Sequence, residues 1–171
     1  MKCAPNGFHT MHVHELLKQR GQTQKPTQLV QIGAMDGVTA DPVHEALIAY
    51  DWHALIVEPI ERHFKTLQRV YKDRPDIQLE QTAIADHSGV TKFYTLPADN
   101  NDLPGWADGA SSLYKDRTAL VWEDIASYVV EITVPCLTLP DLLAKYKVDS
   151  IDILQIDAEG ADFMILQQLA A

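Results

Sequence analysis

The chain has 171 residues, about the length of one domain, and its 46% apolar content supports a core and excludes a disordered chain. Its formal net charge of −10 excludes a general surface for nucleic acid or anionic membrane, because both need clustered Lys and Arg. Cys3 and Cys136 are too far apart for a disulfide framework, and no apolar run reaches the ~18 residues of a membrane span, so we expect a reduced, cytoplasmic protein.

Residues 1–27 are expected to form a helical leader and a linker. Three histidines lie in this leader, and His-rich tracts raise the question of a metal site. On a helix only two of the three share a face, and no cysteine near them completes a ligand set. We therefore interpret the stretch as a solvated helix that ends near Gly21 and holds no metal. The histidines are His9, His12 and His14.

The first strand, residues 29–32, runs into a glycine-bounded turn, and residues 39–50 then show apolar positions at helical spacing. Gly33 and Gly37 let the backbone turn sharply and approach a ligand where a Cβ would collide. The amides of the turn and of the helix start are expected to face the same space. Gly33, Ala34 and Gly37 are therefore candidate cofactor-binding residues.

The charge of this turn and the spacing of its glycines favour some cofactors over others. The spacing is Gly-x-x-x-Gly, and Met35 stands where dinucleotide-binding proteins have the middle glycine of Gly-x-Gly-x-x-Gly. Asp36 would repel a diphosphate but attract a ligand with an ammonium and a sulfonium, such as S-adenosylmethionine. Asp36 is therefore a further candidate cofactor-binding residue. The alternative is an acid that stabilises the following helix without any ligand.

The second strand, residues 52–57, ends on Glu58. This acid lies about 20 positions after Gly37, the offset at which α/β nucleotide binders place a carboxylate for ribose hydroxyls. A turn, a helix and a return strand bring the end of the second strand beside the turn. Glu58 is therefore predicted to bind a ribose, and an ordinary exposed glutamate is the alternative.

An amphipathic helix over residues 61–71 and a third strand over residues 77–84 come next. Residues 90–96 alternate between apolar and polar, which predicts a hairpin with the third strand. Ala83 and Ile84 end the third strand. They are candidates for the floor under an adenine ring, or else part of the core.

A polar stretch over residues 98–117 is too long for a simple connection, and such loops are usually functional or mobile. We expect it to lie over the cofactor rim, with Ser111 or Ser112 contacting the substrate or the cofactor. Three elements are expected after it: a helix over residues 120–128, a strand over 129–137 that Pro135 places at an edge or bulge, and a helix over 138–147 that Thr138 caps.

A last buried strand over residues 151–156 leads into Asp157 and Glu159, and a helix follows over residues 163–169. Because parallel strands share a rim at their carboxyl ends, these acids are expected near Gly33 and Glu58. A rim with several acids and no cluster of bases suits a cationic cofactor. The alternative is that the acids cap the last helix.

With these residues in view, the chain resembles the FkbM-type family of S-adenosylmethionine-dependent methyltransferases over about residues 28–169. Met35, Gln155 and Asp162 depart from the family pattern, which commonly has Asn, Lys and Glu there. The resemblance rests on five segments in a specific order, namely residues 31–37, 57–59, 110–113, 138–143 and 155–162.

The resemblance implies an α/β fold of the class I, Rossmann-like type over residues 28–171, with a parallel sheet, flanking helices and apparent truncation after the fourth core strand. Without further strands, the fourth would be an open edge beside exposed apolar surface. It implies S-adenosylmethionine as cofactor and methyl transfer to a hydroxyl of a sugar or polyketide-like small molecule. Asp157 is expected to bind the cofactor's ammonium, and Glu159 to handle the acceptor hydroxyl. The alternatives are a non-catalytic module or inactive fragment, and a dinucleotide-dependent oxidoreductase.

Overall fold

A computed structural model describes residues 12–97, 102–116 and 118–170, arranged around two four-stranded sheets. Cys3 and His9 lie outside the described residues. The strands are β1 (Gln28–Ile32), β2 (His53–Val57), β3 (Ile77–Glu80), β4 (Ala83–Ile84), β5 (Gly89–Thr95), β6 (Ser111–Ser112), β7 (Val130–Leu137) and β8 (Ile153–Ile156). The helices are α1 (Val13–Gln22), α2 (His44–Ala49), α3 (Glu61–Val70), α4 (Leu139–Tyr146) and α5 (Asp162–Gln167). None of these helices is long and apolar enough to cross a membrane.

The first sheet is parallel and has the order β3-β2-β1-β8. β1 and β2 bury apolar residues on both faces, as expected for central parallel strands covered by helices. Leu29 packs with residues of α1, α2 and α3 on one face, and Val30 with residues of α4 and α5 on the other. Since the chain runs outward from β1 to β3 and then returns to β8, the strand order reverses between β1 and β8. Ligands of such sheets bind outside the carboxyl ends of the strands at this reversal.

The predicted third strand is wrong as a single element. β3 belongs to the first sheet, whereas β4 pairs with β7 in a second sheet of order β4-β7-β5-β6. The chain crosses between the sheets after Glu80 because Ala83 packs in a separate small core with Phe93 and Val134. The predicted hairpin is also wrong, since β5 pairs antiparallel with β6 and β7 and has no ladder to β4 among the described residues.

Two predicted helices are wrong in extent or type. The helix expected from residue 39 begins only at His44, because residues 35–43 form turns in which the Asp41 carboxylate accepts from the Val43 N–H at 2.8 Å. Residues 120–128 form two short 3₁₀ segments instead of an α-helix. Leu120 and Ile125 are both buried there, and on an α-helix side chains five apart would point roughly 140° apart.

β7, α3 and α4 confirm the predicted strand and helices at these positions. Thr138 caps α4, because its side chain accepts from the Asp141 N–H at 3.2 Å. Ser88 completes the cap by accepting from the Thr138 N–H and donating to the Asp141 carboxylate. Pro135 pairs with Val90 on one side of β7, just before the pairing with β4 begins.

α1 and β8 lie at the margins of the first sheet. The leader helix is less solvated than expected, because Leu17 is buried and Arg20 donates to Asp152 at 2.8 Å. The prediction that the last strand is buried is wrong: β8 is half-buried, and in the described part of the chain it pairs with β1 alone. On the adjoining α5, Phe163 is 71% exposed. This matches the expected open edge beside apolar surface.

Candidate functional site

A cavity opens at the carboxyl ends of β1, β2 and β8, where the strand order reverses. We call it the site cavity. The short strands β4 and β6 and the 3₁₀ segment Gly105–Gly109 of the second sheet's connections complete its wall. Eight of the residues predicted from sequence line it: Gly33, Ala34, Glu58, Ala83, Ile84, Ser111, Asp157 and Glu159. Three others, Asp36, Gly37 and Ser112, are not among the lining residues.

Gly33 brings β1 and β8 together. Its φ is +79°, and a Cβ there would lie 1.9 Å from the Asp157 carbonyl oxygen. The close approach is therefore to the neighbouring strand end, not to a ligand as predicted. The amides of the turn are also used internally, since the Val57 carbonyl accepts from Gly33 at 3.0 Å and from Ala34 at 3.3 Å. The turn is thus not a cradle for a pyrophosphate.

Asp36 and Gly37 hold the turn itself. The Asp36 carboxylate accepts from the Val38 N–H at 2.9 Å and from the Thr39 N–H at 2.7 Å. Partial burial opposes its ionisation, but these bonds outweigh burial and hold the pKa of Asp36 below its usual value. Gly37 has φ +72°, and a Cβ there would lie 2.4 Å from Leu67 Cδ2 of α3.

Glu58 is 4% exposed, so the alternative of an ordinary exposed glutamate is wrong. One carboxylate oxygen accepts from the Met35 N–H at 2.9 Å, and the other from the Ile60 N–H at 2.8 Å. The side chain therefore ties the glycine turn to the start of α3. Each carboxylate oxygen carries a second lone pair, so a residue that lines the site cavity in this way retains acceptor capacity for a ligand.

Asp157 and Glu159 follow β8 and line the site cavity beside the end of β1. Partial desolvation and, to a smaller extent, repulsion from Asp162 raise the pKa of Asp157, although its side chain keeps exposed area. The alternative that these acids cap the last helix is wrong, because α5 has no side-chain cap. Asp162, its first residue, instead holds the preceding turn by accepting from the Ala158 N–H at 3.0 Å and the Gly160 N–H at 3.1 Å.

The two serines of β6 have different positions. Ser111 is half-buried and lines the site cavity. Ser112 is fully buried, donates to the Glu159 carbonyl at 2.7 Å and accepts from the Tyr114 N–H at 3.0 Å. Ser112 therefore holds the backbone of Glu159, which has φ +46°.

Sequence reasoning missed a set of buried polar atoms. Among the described residues five buried side-chain atoms lack a hydrogen-bond partner, and four of them belong to residues that line the site cavity. Leaving such an atom unpaired costs about 1–3 kcal/mol, so their grouping points to a ligand. The four atoms are Gln31 Oε1, Asp41 Oδ2, His63 Nε2 and Gln155 Oε1.

Three of these atoms are acceptor oxygens. Gln31 and Gln155 are register partners on β1 and β8, and the Gln31 amide nitrogen donates to Asp41 at 3.1 Å. A signal for the two glutamines was present in the sequence, because each is a polar residue in an apolar strand, two positions before Gly33 or Asp157. Nothing in the sequence pattern indicated Asp41.

The charge of the site cavity has one sign. Its lining includes four carboxylates and no Lys or Arg among the described residues. Fixed negative charge in a partly desolvated space favours a cation and disfavours an anion. The four acids are Asp41, Glu58, Asp157 and Glu159.

Residues 31–171 match the family described as methyltransferase FkbM domain. The chain belongs to the FkbM methyltransferase family. The match includes every residue of the site cavity, so the cavity lies within the methyltransferase domain. Comparison with curated proteins and with solved structures gave no match.

Backbone strain is also concentrated at the cavity of this methyltransferase. Five non-glycine residues among those described have a positive φ, a conformation that side chains other than glycine rarely adopt. Three of them, Met35, Ala40 and Glu159, line the site cavity. Residues held in strained conformations cluster at ligand sites in proteins, which agrees with this assignment.

Proposed function

We propose that this methyltransferase uses S-adenosylmethionine to methylate a hydroxyl oxygen of a sugar or polyketide-like small molecule, in the cytoplasm and with a class I, Rossmann-like fold. The observation that carries the proposal is the wall of the site cavity, where one buried oxygen each of Gln31, Asp41 and Gln155 has no hydrogen-bond partner among the described residues, and which four carboxylates line. A ligand with an ammonium and a sulfonium supplies both the donors and the charge that this wall lacks. Because the net charge is −10, we do not propose nucleic acid or anionic membranes as partners.

The residues present fit the cofactor. Gln31, Asp41 and Gln155 would accept from its ammonium, with Asp157 two residues after Gln155. Glu58 would accept from the ribose hydroxyls, and Ala83 and Ile84 would lie against the adenine. When bound, the cofactor supplies a methyl group attached to a sulfonium, whose sulfur leaves readily as a neutral thioether when the methyl group is transferred.

Glu159 would act on the acceptor substrate. Its carboxylate would take the proton that the hydroxyl loses when it becomes a methyl ether, and a positioned base of this kind contributes roughly 10²–10⁴-fold to a rate. Ser112 donates to the Glu159 carbonyl, and this bond fixes the backbone from which the Glu159 side chain extends. Ser111, on the same wall, is placed to contact the substrate.

A dinucleotide-dependent oxidoreductase fits the site cavity less well. Two amides that would receive a pyrophosphate donate to the Val57 carbonyl, and four carboxylates would repel it. A non-catalytic module with the same ligand differs from the enzyme only in turnover, so binding and activity need separate measurements.

The test is calorimetric titration of the chain with S-adenosylmethionine, S-adenosylhomocysteine and NAD. The first two are expected to bind and NAD is not. Asp41→Asn is expected to weaken binding, whereas its matched control Asp36→Asn, an acid of the same turn outside the site cavity, leaves it unchanged. Binding of NAD alone would overturn the proposal, and a loss confined to Asp36→Asn would restore Asp36 as the cofactor's counter-ion.

A further inference from the structure

Trp106, at the site cavity, contacts a second partly exposed tryptophan, Trp122. Trp106, on the 3₁₀ segment Gly105–Gly109, lines the cavity and is nevertheless 48% exposed. Trp122, just after the 3₁₀ segment Thr118–Val121, is 54% exposed. The two indole rings meet edge to face, with centroids 5.1 Å apart and an interplanar angle of 62°. We call this pair the indole platform.

The core does not require the indoles at this position. The segments that carry them bury neighbouring side chains instead: Ala107, Leu120 and Ile125 are within 1% of full burial and pack with Leu96. The tryptophans are thus the residues that these segments present to the outside. Large aromatic side chains left half exposed beside a cavity are typical of binding surfaces.

The indole platform is held in place. Arg62 of α3 donates to the Asp108 carboxylate from Nε at 3.1 Å and from Nη2 at 3.0 Å, two residues from Trp106. The Trp122 carbonyl accepts from two amides of the following turn, at 3.0 and 2.8 Å. Both indoles therefore sit on anchored backbone, which lowers the entropy lost on binding.

We propose that the indole platform is the acceptor-binding surface, and that it takes an uncharged saccharide ring stacked on Trp106. This rests on the proposed methyl transfer. A saccharide ring presents C–H groups on its face and hydroxyls on its rim, so it can stack on an indole while its hydroxyls reach polar groups. Trp106 supplies the aromatic surface, and Ser111 and Glu159 supply polar groups on the wall of the same cavity. Because that wall is rich in carboxylates, a ring that carries its own carboxylate is disfavoured.

The experiment uses the chain saturated with S-adenosylhomocysteine and a panel of methyl glycosides of neutral hexoses and 6-deoxyhexoses, detected by saturation-transfer NMR. At least one glycoside is expected to bind, and the corresponding uronic acid glycoside to bind more weakly. Trp106→Ala is expected to weaken glycoside binding about tenfold, whereas Trp106→Phe keeps most of it because a ring remains. The affinity for S-adenosylhomocysteine stays the same in both variants.

Phe163→Ala is the matched control, because Phe163 is an exposed aromatic residue outside the site cavity. It is expected to leave glycoside binding unchanged. No signal from any glycoside, or equal loss in Phe163→Ala and Trp106→Ala, would overturn the indole platform while leaving the cofactor assignment intact. Failure of wild-type chain to bind S-adenosylhomocysteine would instead overturn the proposed function.

Discussion

At the scale of single residues, Glu58 combines a structural and a binding position. Its two carboxylate oxygens hold the amides of Met35 and Ile60, and the same side chain lines the site cavity. A substitution therefore changes stability and binding together. Separating the two effects requires a control substitution at a comparable acid, one that also ends a strand of the first sheet but lies outside the site cavity.

Glu58→Ala is expected to weaken S-adenosylhomocysteine binding by about 1.5–3 kcal/mol, the range for hydrogen bonds to a charged group, and also to lower the free energy of unfolding. Calorimetry at a temperature where circular dichroism shows the variant folded measures the first effect. Glu80→Ala is the control, since Glu80 ends β3, accepts from Lys145 and lies outside the site cavity. Unchanged affinity in folded Glu58→Ala would remove Glu58 from the ribose site.

Asp157 gives a pH-dependent prediction. Because its pKa is raised in the folded chain above the usual 3.8, the folded state disfavours the ionised form, and stability falls as pH rises through the raised pKa. Asp157→Asn should therefore raise the free energy of unfolding near neutral pH. The difference should vanish in acid below the usual pKa, where the wild-type carboxyl is protonated in both states.

Urea unfolding at several pH values measures this difference, with Asp149→Asn, an exposed acid ahead of β8, as the control for net charge. The same variant should bind S-adenosylhomocysteine more weakly, since it loses a charge that faces the ligand. A variant that is less stable than wild type at neutral pH would show that Asp157 is not disfavoured in its ionised form.

Glu159→Gln should reduce turnover of a bound glycoside by roughly 10²–10⁴-fold while S-adenosylhomocysteine affinity stays close to wild type. The substitution keeps the side-chain shape, and the bond from Ser112 reaches the backbone carbonyl, so the turn is preserved. Single-turnover kinetics measure the step directly. Wild-type turnover in this variant would mean that no base is needed from Glu159.

At the scale of elements, continuous apolar runs were predictable and long-range pairing was not. β1, β2 and α3 follow from apolar pattern and length. The division of residues 77–84 between two sheets depends on β7, which is more than 40 residues away, and no local pattern encodes it. The rim shared by Gly33, Glu58 and Asp157 was predictable because the ends of parallel strands meet.

Asp41 is a residue of the site cavity that the sequence pattern did not predict. It reaches the site cavity only because residues 35–43 form irregular turns in place of the expected helix. Asp36, two residues after Ala34, is predicted from the same stretch to bind the cofactor; its carboxylate accepts from two amides of the turn, and it is not among the lining residues. The side-chain directions in a non-repeating turn follow from its individual hydrogen bonds, and periodicity carries no information about them.

The predicted loop over the rim gives a test at this scale. The 3₁₀ segment Gly105–Gly109 and Ser111 form part of the cavity wall, whereas residues 98–101 and 117 lie outside the described residues. Amide hydrogen exchange in residues 105–112 should slow when S-adenosylhomocysteine and a glycoside bind. Asp108→Asn, which weakens the contact to Arg62, should speed exchange in the ligand-free chain. Identical exchange with and without both ligands would contradict a position over the ligand.

At the scale of the whole molecule, the site lies where two distant parts of the chain meet. β1 and β8 are paired neighbours that both end at the site cavity, and helices from both halves of the sequence cover the first sheet. The second sheet, built from the intervening residues, supplies the remaining wall through β4 and β6. Binding therefore depends on the complete arrangement of both sheets.

The contact between Gly33 and the Asp157 backbone has a consequence for folding kinetics. The bond from Gln28 to Asp152 joins residues 124 apart, beside this contact. Because closing so long a loop costs entropy before its contacts form, we expect β1 and β8 to pair in a late step of folding. Until β8 docks on β1, the cavity lacks a wall and holds no ligand. S-adenosylhomocysteine should consequently slow unfolding and leave the refolding rate unchanged in stopped-flow measurements, because it stabilises an arrangement absent from the transition state. A ligand that accelerated refolding would place the pairing of β1 with β8 early.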